Sequence, residues 1–435
     1  MLFSTFFLNF KVVAQDSLYI RQVVDYLSSN ACFGRGYAFR GDSIAAEYIR
    51  LQMKQLNLLP LTDNYYQYFS FGYNVMEGEM EVNFGKNYPA TEHSDILQIC
   101  AFTPQIKGNF NIIDATKQGK NNKIYQKYIT QKNNSKQKNA YKNRFIMVDM
   151  SVASEDTNRA NFWRNTLLYN TLKAKGYIAL QQKIAPYSPV YGRRKAGHAL
   201  INIVKDSLLQ SPKKISLNID AQYVSNYTSQ NVCAYIKGKR RADSCIVIGA
   251  HYDHCGMAGK NYIYPGANDN ACGVAMLLSL AAHYSLPQNQ PDYTLIFLAF
   301  SGEEMGLVGS SFFVNHLPPN FPAVKMMLNL DLVGTGEEGF TMVGAKAFPA
   351  IFAQFAAVNE IKHYATPLLE REMSPNSDHY PFYQAGIPAV FIYGMGKSGG
   401  YHHPTDTPQN LSFGGCTNLY HLLIETMENM MKMEN

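Results

Sequence analysis

The second half of the chain repeats one pattern, in which a fully apolar run is followed by acidic or imidazole residues. The runs cover residues 245–250, 293–300, 324–330 and 388–393, and helical periodicity fills the intervals between them. Apolar strands that alternate with helices predict a sheet covered on both faces. We therefore expect an α/β fold: a three-layer α/β/α sandwich with a mixed, mostly parallel central sheet. The polar residues after the runs should meet at the carboxyl edge of that sheet.

These strand ends offer nitrogen and carboxylate oxygen donors that suit a pair of metal ions. The candidates are His251, Asp253, Asp269, Glu303, Glu304, Asp331 and His402. Imidazole nitrogen and carboxylate oxygen are zinc ligands, and the separations between the candidates are too long for a zinc finger. Two dications close together need shared negative charge, and Asp269 is the natural bridging carboxylate.

The remaining candidates divide between the two metal positions. His251 and Asp331 are expected to complete one position, and Glu304 and His402 the other. Glu303 is the candidate general base, because adjacent side chains point in different directions and one can face water while its neighbour binds metal.

Two further carboxylates are expected to support the ligands. Asp253, counted with Glu303 among the catalytic candidates, could accept the second ring proton of His251, with capping of a turn as the alternative. Asp406 follows His402 by four residues and could support that loop.

Six segments, in order, resemble the co-catalytic dinuclear zinc aminopeptidase family of the bacterial leucyl aminopeptidase type. They are HYDH, GANDNACG, SGEE, NLDLVG, SDHYPF and YHHPTDT, within residues 229–434, and residues 34–60 resemble the leading helical segment of that family. The resemblance implies a phosphorylase/hydrolase-like fold, two Zn²⁺ per chain, and removal of N-terminal residues from peptides by metal-bound hydroxide. It also implies a cis peptide bond after Asp269. The implied metal ligands are His251, Asp269, Glu304, Asp331 and His402, with Glu303 as the base.

The sequence departs from the family pattern at two places. His403 stands where members usually carry Ser or Thr, so an exchange of the ligand role between His402 and His403 stays open, although the preceding Tyr favours His402. Some members use a Tyr before Ser-Asp-His to contact the substrate carbonyl, and residues 373–376 contain none, which makes Tyr393 a candidate. A helix N-cap is the alternative role for Asp378. The candidate substrate-binding residues are Asp378, His379 and Tyr393.

The chain divides into four predicted segments. Residues 1–15 resemble a signal peptide, which would place the protein in the periplasm or outside the cell. Residues 16–77 are predicted to begin the peptidase domain, and residues 229–435 to form its catalytic part. Residues 78–228 alternate short strands with polar stretches and resemble the protease-associated insert of secreted members, a smaller β-rich α+β domain.

Within that insert we predict a helix at 162–175 and a solvated surface loop or poorly ordered excursion at 117–143. The formal net charge of +6 is local: residues 106–144 hold ten basic residues and one acidic residue, so the rest of the chain is slightly acidic. A nucleic-acid partner is therefore not expected. The seven cysteines include no CxxC pair, so buried free thiols are expected, although one disulfide remains open. No apolar run is long enough to predict a membrane-spanning helix.

The leading interpretation is a metallo-exopeptidase, an aminopeptidase that acts on peptides or proteins. One alternative is a glutaminyl cyclase-like acyl transfer, which would use a single zinc. A second alternative is a non-catalytic peptide-binding ectodomain on the same scaffold. The complete set of five ligands argues against both alternatives. The preferred N-terminal residue and the oligomeric state are not predicted.

Overall fold

The computed structural model describes residues 17–85, 93–130, 140–208 and 210–433, and the structural statements below concern these ranges. The predicted signal peptide at 1–15 lies outside them. None of the helices in the described ranges combines the length and apolarity that crossing a membrane would require.

Helices and strands are interspersed along the chain. The helices are α1 (Ser17–Leu27), α2 (Gly41–Gln55), α3 (Gln118–Thr130), α4 (Met150–Ala153), α5 (Thr157–Tyr169), α6 (Cys272–Ser285), α7 (Val308–Asn315), α8 (Pro349–Lys362), α9 (His379–Gln384) and α10 (Cys416–Met433). The strands are β1 (Leu59–Pro60), β2 (Tyr66–Val75), β3 (Met80–Asn83), β4 (Leu97–Ile99), β5 (Ile106–Asp114), β6 (Arg144–Asp149), β7 (Gly176–Gln181), β8 (Ala199–Val204), β9 (Lys214–Ile219), β10 (Gln222–Ile236), β11 (Arg241–His251), β12 (Gly256–Ala258), β13 (Tyr262–Tyr264), β14 (Tyr293–Phe300), β15 (Ala323–Leu330), β16 (Phe340–Val343), β17 (Leu368–Arg371) and β18 (Ala389–Gly394).

The larger sheet is mixed, with strand order β1-β10-β14-β11-β15-β18-β16-β17, and β2 pairs with β10. Its central strands β14, β11, β15 and β18 are parallel. Antiparallel pairs flank them, at β10 with β14 and at β16 with β18. The four predicted apolar runs fall in the parallel strands, and the predicted α/β class with a mixed sheet is confirmed.

Both faces of this sheet are buried, as continuous apolar strands require. On β11, Ile246 and Ile248 face a core that includes residues of α1, α2, α6, α8 and α10. The alternate residue Val247 faces a second core, where Phe313 of α7 and Phe382 of α9 pack. The sheet therefore lies between two helical layers.

The parallel strands bring the polar strand ends together at one edge. β11 ends at His251, whose register partner on β14 is Phe300, the last residue of that strand. β15 ends one residue before Asp331. The carboxyl ends of these strands therefore form one rim, as predicted.

A second sheet, with order β3-β9-β5-β6-β7-β8-β4, is built from residues 80–219. Alternate residues of β6 pack in two hydrophobic cores, one on each face of this sheet. Phe145 packs on one face, and Ile146 packs on the other face with Trp163 of α5. β10 already starts at Gln222, so the predicted boundary between residues 228 and 229 falls inside a strand of the larger sheet.

Of two predictions for this region, the helix is confirmed with shifted bounds, and the loop is wrong for part of its length. The helix predicted at 162–175 is α5, which begins at Thr157 because the Asp156 side chain accepts a hydrogen bond from the backbone N–H of Arg159. Residues 118–130 of the segment predicted at 117–143 form helix α3. The Trp163 indole donates a 2.6 Å hydrogen bond to Asn121 of α3, and Ile124 packs in the same core. Few apolar residues stand among the polar ones of α3, which hid the helical period in the sequence.

Candidate metal centre

The carboxylate of Asp269 lies between two imidazoles at the carboxyl edge of the larger sheet. Its Oδ1 is 3.4 Å from Nε2 of His251, and its Oδ2 is 3.2 Å from Nε2 of His402. Each imidazole has a second carboxylate close by: Asp331 Oδ1 is 3.3 Å from His251, and Glu304 Oε1 is 3.0 Å from His402. The structure thus brings together all five residues that the sequence singled out as ligands, in the predicted two groups.

The separations between these donor atoms match those of a metal site. In a tetrahedral zinc site with metal–ligand distances near 2.0–2.1 Å, neighbouring donor atoms are about 3.3 Å apart. The four measured separations span 3.0–3.4 Å. Each group therefore has the dimensions of one metal position, and the Asp269 carboxylate is shared between both.

Buried atoms without hydrogen-bond partners also indicate a metal site. Within the described residues, His402 Nε2 and Asp269 Oδ2 are buried and make no hydrogen bond, although only 3.2 Å separates them. Buried polar atoms are normally satisfied, so such a pair needs an explanation, and a cation in contact with both atoms provides one.

Burial and the mutual contacts set the charges of the metal-free site. Although burial opposes it, Asp331 and Glu303 raise the pKa of His251 well above its ordinary value. Likewise, the nearby imidazoles of His402 and His254 hold the pKa of the buried Glu304 carboxyl well below its usual range. Without metal, the imidazoles therefore carry protons that neutralise the carboxylates, and a bound metal ion replaces those protons.

A buried arginine holds the turn that carries Asp269. Arg35 is fully buried against residues 265–269. Its guanidinium N–H groups donate hydrogen bonds to carbonyl oxygens of this turn. Gly266 begins the turn with φ +63°, where a Cβ would meet the Arg35 guanidinium. The acceptors are the carbonyl oxygens of Leu27 (2.8 Å), Tyr252 (2.7 Å), Pro265 (2.7 Å), Gly266 (2.7 Å) and Asp269 (3.0 Å).

The same turn is tied to the loop of His402. Asp406 accepts hydrogen bonds from the backbone N–H groups of Asn268, at 2.9 Å, and of Asp269, at 3.0 Å. The support that the sequence suggested for Asp406 thus reaches the bridging residue as well as its own loop. The peptide bond between Asp269 and Asn270 is cis, as the family resemblance implies.

Asp253 positions the two adjacent glutamates. Its fully buried carboxylate accepts hydrogen bonds from the backbone N–H groups of Glu303, at 3.2 Å, and Glu304, at 3.4 Å, and from the Tyr37 hydroxyl, at 2.7 Å. The expected bond to His251 is made by the backbone carbonyl of Asp253, 3.0 Å from Nδ1, while the nearest carboxylate oxygen is 3.8 Å away. Asp253 therefore holds the ligand through its main chain and the glutamates through its side chain.

The orientation of Asp331 is fixed from the neighbouring strand loop. The Ser377 hydroxyl donates a 2.6 Å hydrogen bond to Asp331 Oδ2 and accepts one of 2.7 Å from the Asn329 side-chain amide. This leaves Oδ1 of Asp331 free to face His251. The SDHYPF segment thus contributes to the site through its serine, a role that the sequence did not suggest.

The three predicted substrate-binding residues take different places. Asp378 and His379 are completely buried, so neither presents a surface to solvent. Burial is the main cause that raises the pKa of Asp378 to about 7 and lowers that of His379 to about 4. Tyr393 lies near the end of β18 and is partly exposed. Their contact with substrate stays a prediction.

Residues of the second sheet region reach the metal centre. The backbone carbonyl of Tyr187 accepts a 2.5 Å hydrogen bond from Nδ1 of His402, which leaves Nε2 of the same ring for a metal ion. A cavity of about 440 Å³ opens beside this contact and is lined by both regions. Tyr401 stacks on the His402 ring, with 3.9 Å between ring centroids, and is 57% exposed. The residues that line the cavity include Tyr187, Tyr262, Tyr264, Tyr401, His402 and His403.

His254 and Cys255 belong to the centre, although neither is among the ligands that the sequence analysis predicts. Donor atoms of His254, Cys255, Glu304 and His402 all lie within 4.8 Å of one another. His254 Nδ1 is 3.0 Å from Glu304 Oε1. Their position directly after the ligand motif, in HYDHC, was the available signal.

Comparison with known proteins shows that the chain is similar to peptidases. The model of Peptidase family M28 matches residues 231–427. Aminopeptidase YwaD of Bacillus subtilis is 30% identical over 256 residues, which are 55% of this chain and 53% of that protein. A probable zinc metalloprotease of Pyricularia oryzae is 38% identical over 113 residues, 25% of this chain and 22% of that protein. The chain spans about half the length, or less, of these curated relatives.

Two solved structures share the fold along nearly the whole chain. The zinc aminopeptidase BSAP of Bacillus subtilis superposes with a TM-score of 0.70 at 21% identity, covering 97% of both chains. An aminopeptidase of Aneurinibacillus sp. strain AM-1 superposes with a TM-score of 0.63 at 19% identity, covering 96% of this chain and 94% of that one. The similarity therefore includes the second sheet as well as the larger one. Residues 231–427, which match the model of peptidase family M28, contain every predicted metal ligand.

Proposed function

We propose that the protein is a zinc-dependent aminopeptidase that holds two zinc ions. The observation that carries the proposal is the Asp269 carboxylate, whose two oxygens face the imidazoles of His251 and His402 at 3.4 and 3.2 Å. Asp331 and Glu304 complete the two donor groups. The match of residues 231–427 to peptidase family M28 and the similarity to Aminopeptidase YwaD support the same proposal.

In this proposal the chain itself supplies the ligands, the base and the orientation of both. Zinc ions bound there would polarise the carbonyl of the scissile peptide bond and lower the pKa of water. Asp253 holds the ligand Glu304, and Ser377 holds the ligand Asp331, through the hydrogen bonds described above. Because both contacts are buried, the donor geometry exists before substrate binds.

Glu303 is proposed as the general base. Its carboxyl group lies with donor atoms of His251 and Asp331 in a cluster no wider than 4.8 Å. Burial, together with the nearby Glu304 and Asp378 carboxylates, raises the pKa of Glu303 well above its ordinary value. A carboxylate of raised pKa is suited to accept a proton from the attacking water and to return it to the leaving amine.

The aromatic cavity beside His402 is proposed to accept part of the peptide. Tyr187, Tyr264 and Tyr401 line it, and its volume of about 440 Å³ accommodates a large side chain or a short segment of backbone. Tyr401 is exposed beside the ligand His402 and is therefore placed to touch a substrate, as Tyr393 is predicted to do.

The proposal is tested with aminoacyl and N-blocked peptides, each assayed with and without a chelator. We expect hydrolysis of free N-terminal residues that stops on chelation and recovers with zinc. Hydrolysis of N-blocked peptides would contradict aminopeptidase action. Release of pyroglutamyl products from glutaminyl peptides, with one zinc per chain, would favour the cyclase alternative.

The domain bounds and the location of the protein are also proposals. We assign residues 16–77 and the chain from β10 (Gln222–Ile236) onward to the peptidase unit, and the residues between them to an insert, which limited proteolysis at the junctions would test. Location in the periplasm or outside the cell depends on the sequence of residues 1–15, and N-terminal sequencing of the mature protein would test it.

A further inference from the structure

Cys255 lies inside the metal centre rather than in a purely apolar core. Its Sγ is within 4.8 Å of donor atoms of His254, Glu304 and His402, and the residue is 3% exposed. In the described part of the chain the seven cysteines are free and buried. Cys233, by contrast, packs among the apolar residues between the sheet and α7, outside both metal-type clusters.

Two imidazoles of the cluster around Cys255 each have a buried ring nitrogen without a hydrogen-bond partner within the ranges that the structure describes, and one oxygen of the bridging Asp269 also lacks one. Among the described residues, His402 Nε2, His254 Nε2 and Asp269 Oδ2 are buried without hydrogen-bond partners. His402 is more than nine-tenths buried, and its Nε2 is the atom that faces the cluster. These unpartnered atoms indicate that a further group, bound by several of them together, belongs at this point.

We propose that Cys255 supplies a thiolate to the zinc ion held by Glu304 and His402. This inference rests on the proposed zinc centre and deepens it. With zinc–sulfur distances near 2.3 Å, a thiolate sulfur and an imidazole nitrogen on one ion are about 3.6 Å apart, within the span of the cluster. The ion on this side then has nitrogen, oxygen and sulfur donors, from His402, Glu304, Asp269 and Cys255.

The two metal positions therefore differ in kind. Four protein donors close a tetrahedral site, whereas a catalytic site keeps a position open. The open position falls to the ion held by His251 and Asp331, whose cluster includes the base Glu303. Soft thiolate ligands favour zinc over harder divalent metals, so the Cys255 position binds zinc more tightly and fills first.

The test is reconstitution of metal-depleted protein with Co²⁺ alone, followed by absorption spectroscopy. We expect the first equivalent to produce a near-ultraviolet sulfur-to-cobalt charge-transfer band. The band should be absent from Cys255→Ser and unchanged in the control Cys233→Ala. Affinity for the first zinc ion should fall by at least about tenfold in Cys255→Ser, since even groups behind the ligands change affinity by that much.

A second measurement needs no variant and so does not depend on whether Cys255→Ser folds. Zinc should protect Cys255 of the wild-type protein from alkylation in partly denaturing buffer, measured by peptide mass spectrometry, and should leave Cys233 unprotected. Bound Co²⁺ without the band, or a band that persists in Cys255→Ser, overturns the thiolate assignment while peptidase activity still stands. Failure to bind either metal overturns the zinc centre itself.

Discussion

The guanidinium of Arg35 and the main chain of Asp269 are joined by a 3.0 Å hydrogen bond across 234 residues of sequence. Through this bond an arginine near the N-terminal helices holds the residue that bridges the two metal positions. The same guanidinium also binds the carbonyls of Pro265 and Gly266. The geometry of the metal centre thus depends on a side chain whose hydrogen bonds go to main-chain carbonyl oxygens.

Arg35→Lys should therefore destabilise the protein and weaken metal binding together. Lysine keeps the charge but cannot reach five carbonyl oxygens in a fork, so several buried acceptors lose their donors. We expect the free energy of unfolding to fall by about 2–4 kcal/mol, measured by urea denaturation. The exposed Arg164→Lys serves as control. Equal stability and zinc affinity in Arg35→Lys would show that the turn is held by other contacts.

Glu303→Gln should keep both metal ions and lose activity. The amide retains the size of the carboxylate but cannot accept a proton, so turnover should fall by about 10²–10⁴-fold. Metal analysis and steady-state kinetics on one preparation separate the two effects, with the exposed Glu360→Gln as control. Wild-type turnover in Glu303→Gln would refute its role as base.

Metal counting should distinguish the bridging carboxylate from the terminal ones. Asp269→Asn weakens both positions, because each oxygen of Asp269 faces a different imidazole. Asp331→Asn affects only the position of His251. We expect metal content after dialysis to drop for both ions in Asp269→Asn and for one ion in Asp331→Asn. Equal losses in the two variants would contradict the assignment of Asp269 as the bridge.

His93 should make the fold sensitive to acid. Its Nδ1 accepts a hydrogen bond from the backbone N–H of Ile99, at 3.3 Å, and its Nε2 is 3.0 Å from the Tyr264 hydroxyl. Burial lowers the pKa of His93 to about 3, against an ordinary value near 6.5. The unfolded chain therefore binds a proton that the folded chain does not bind. The free energy of unfolding thus falls as the pH drops from about 6.5 toward 3.

The variant His93→Asn keeps an acceptor for Ile99 but does not titrate. Its free energy of unfolding should lose about 3 kcal/mol less than the wild type between pH 7 and pH 4. Urea denaturation of chelator-treated proteins across this range measures the difference. The exposed His363→Asn should follow the wild-type profile. Parallel profiles for His93→Asn and the wild type would exclude His93 as the source of acid sensitivity.

Sequence reasoning works best where one residue type has one physical role. The apolar runs predicted the parallel strands, and the donors after them predicted the ligand groups around Asp269, because metal ligands must be His, Cys or carboxylate. The supporting contacts were beyond reach for a physical reason. Arg35 binds only carbonyl oxygens, and every residue has one, so no sequence pattern marks its partners. Helix α3 was missed because it packs through few apolar residues spread among polar ones.

The hydrogen bond from His402 Nδ1 to the Tyr187 carbonyl has a consequence for protein engineering. A ring nitrogen that loses its acceptor is free to change tautomer and to turn away from the metal. An attempt to shorten this protein by excising the second sheet would thus remove the hydrogen bond that holds one predicted ligand and part of the adjoining cavity wall. The two sheets have to be transplanted, swapped or redesigned as one piece.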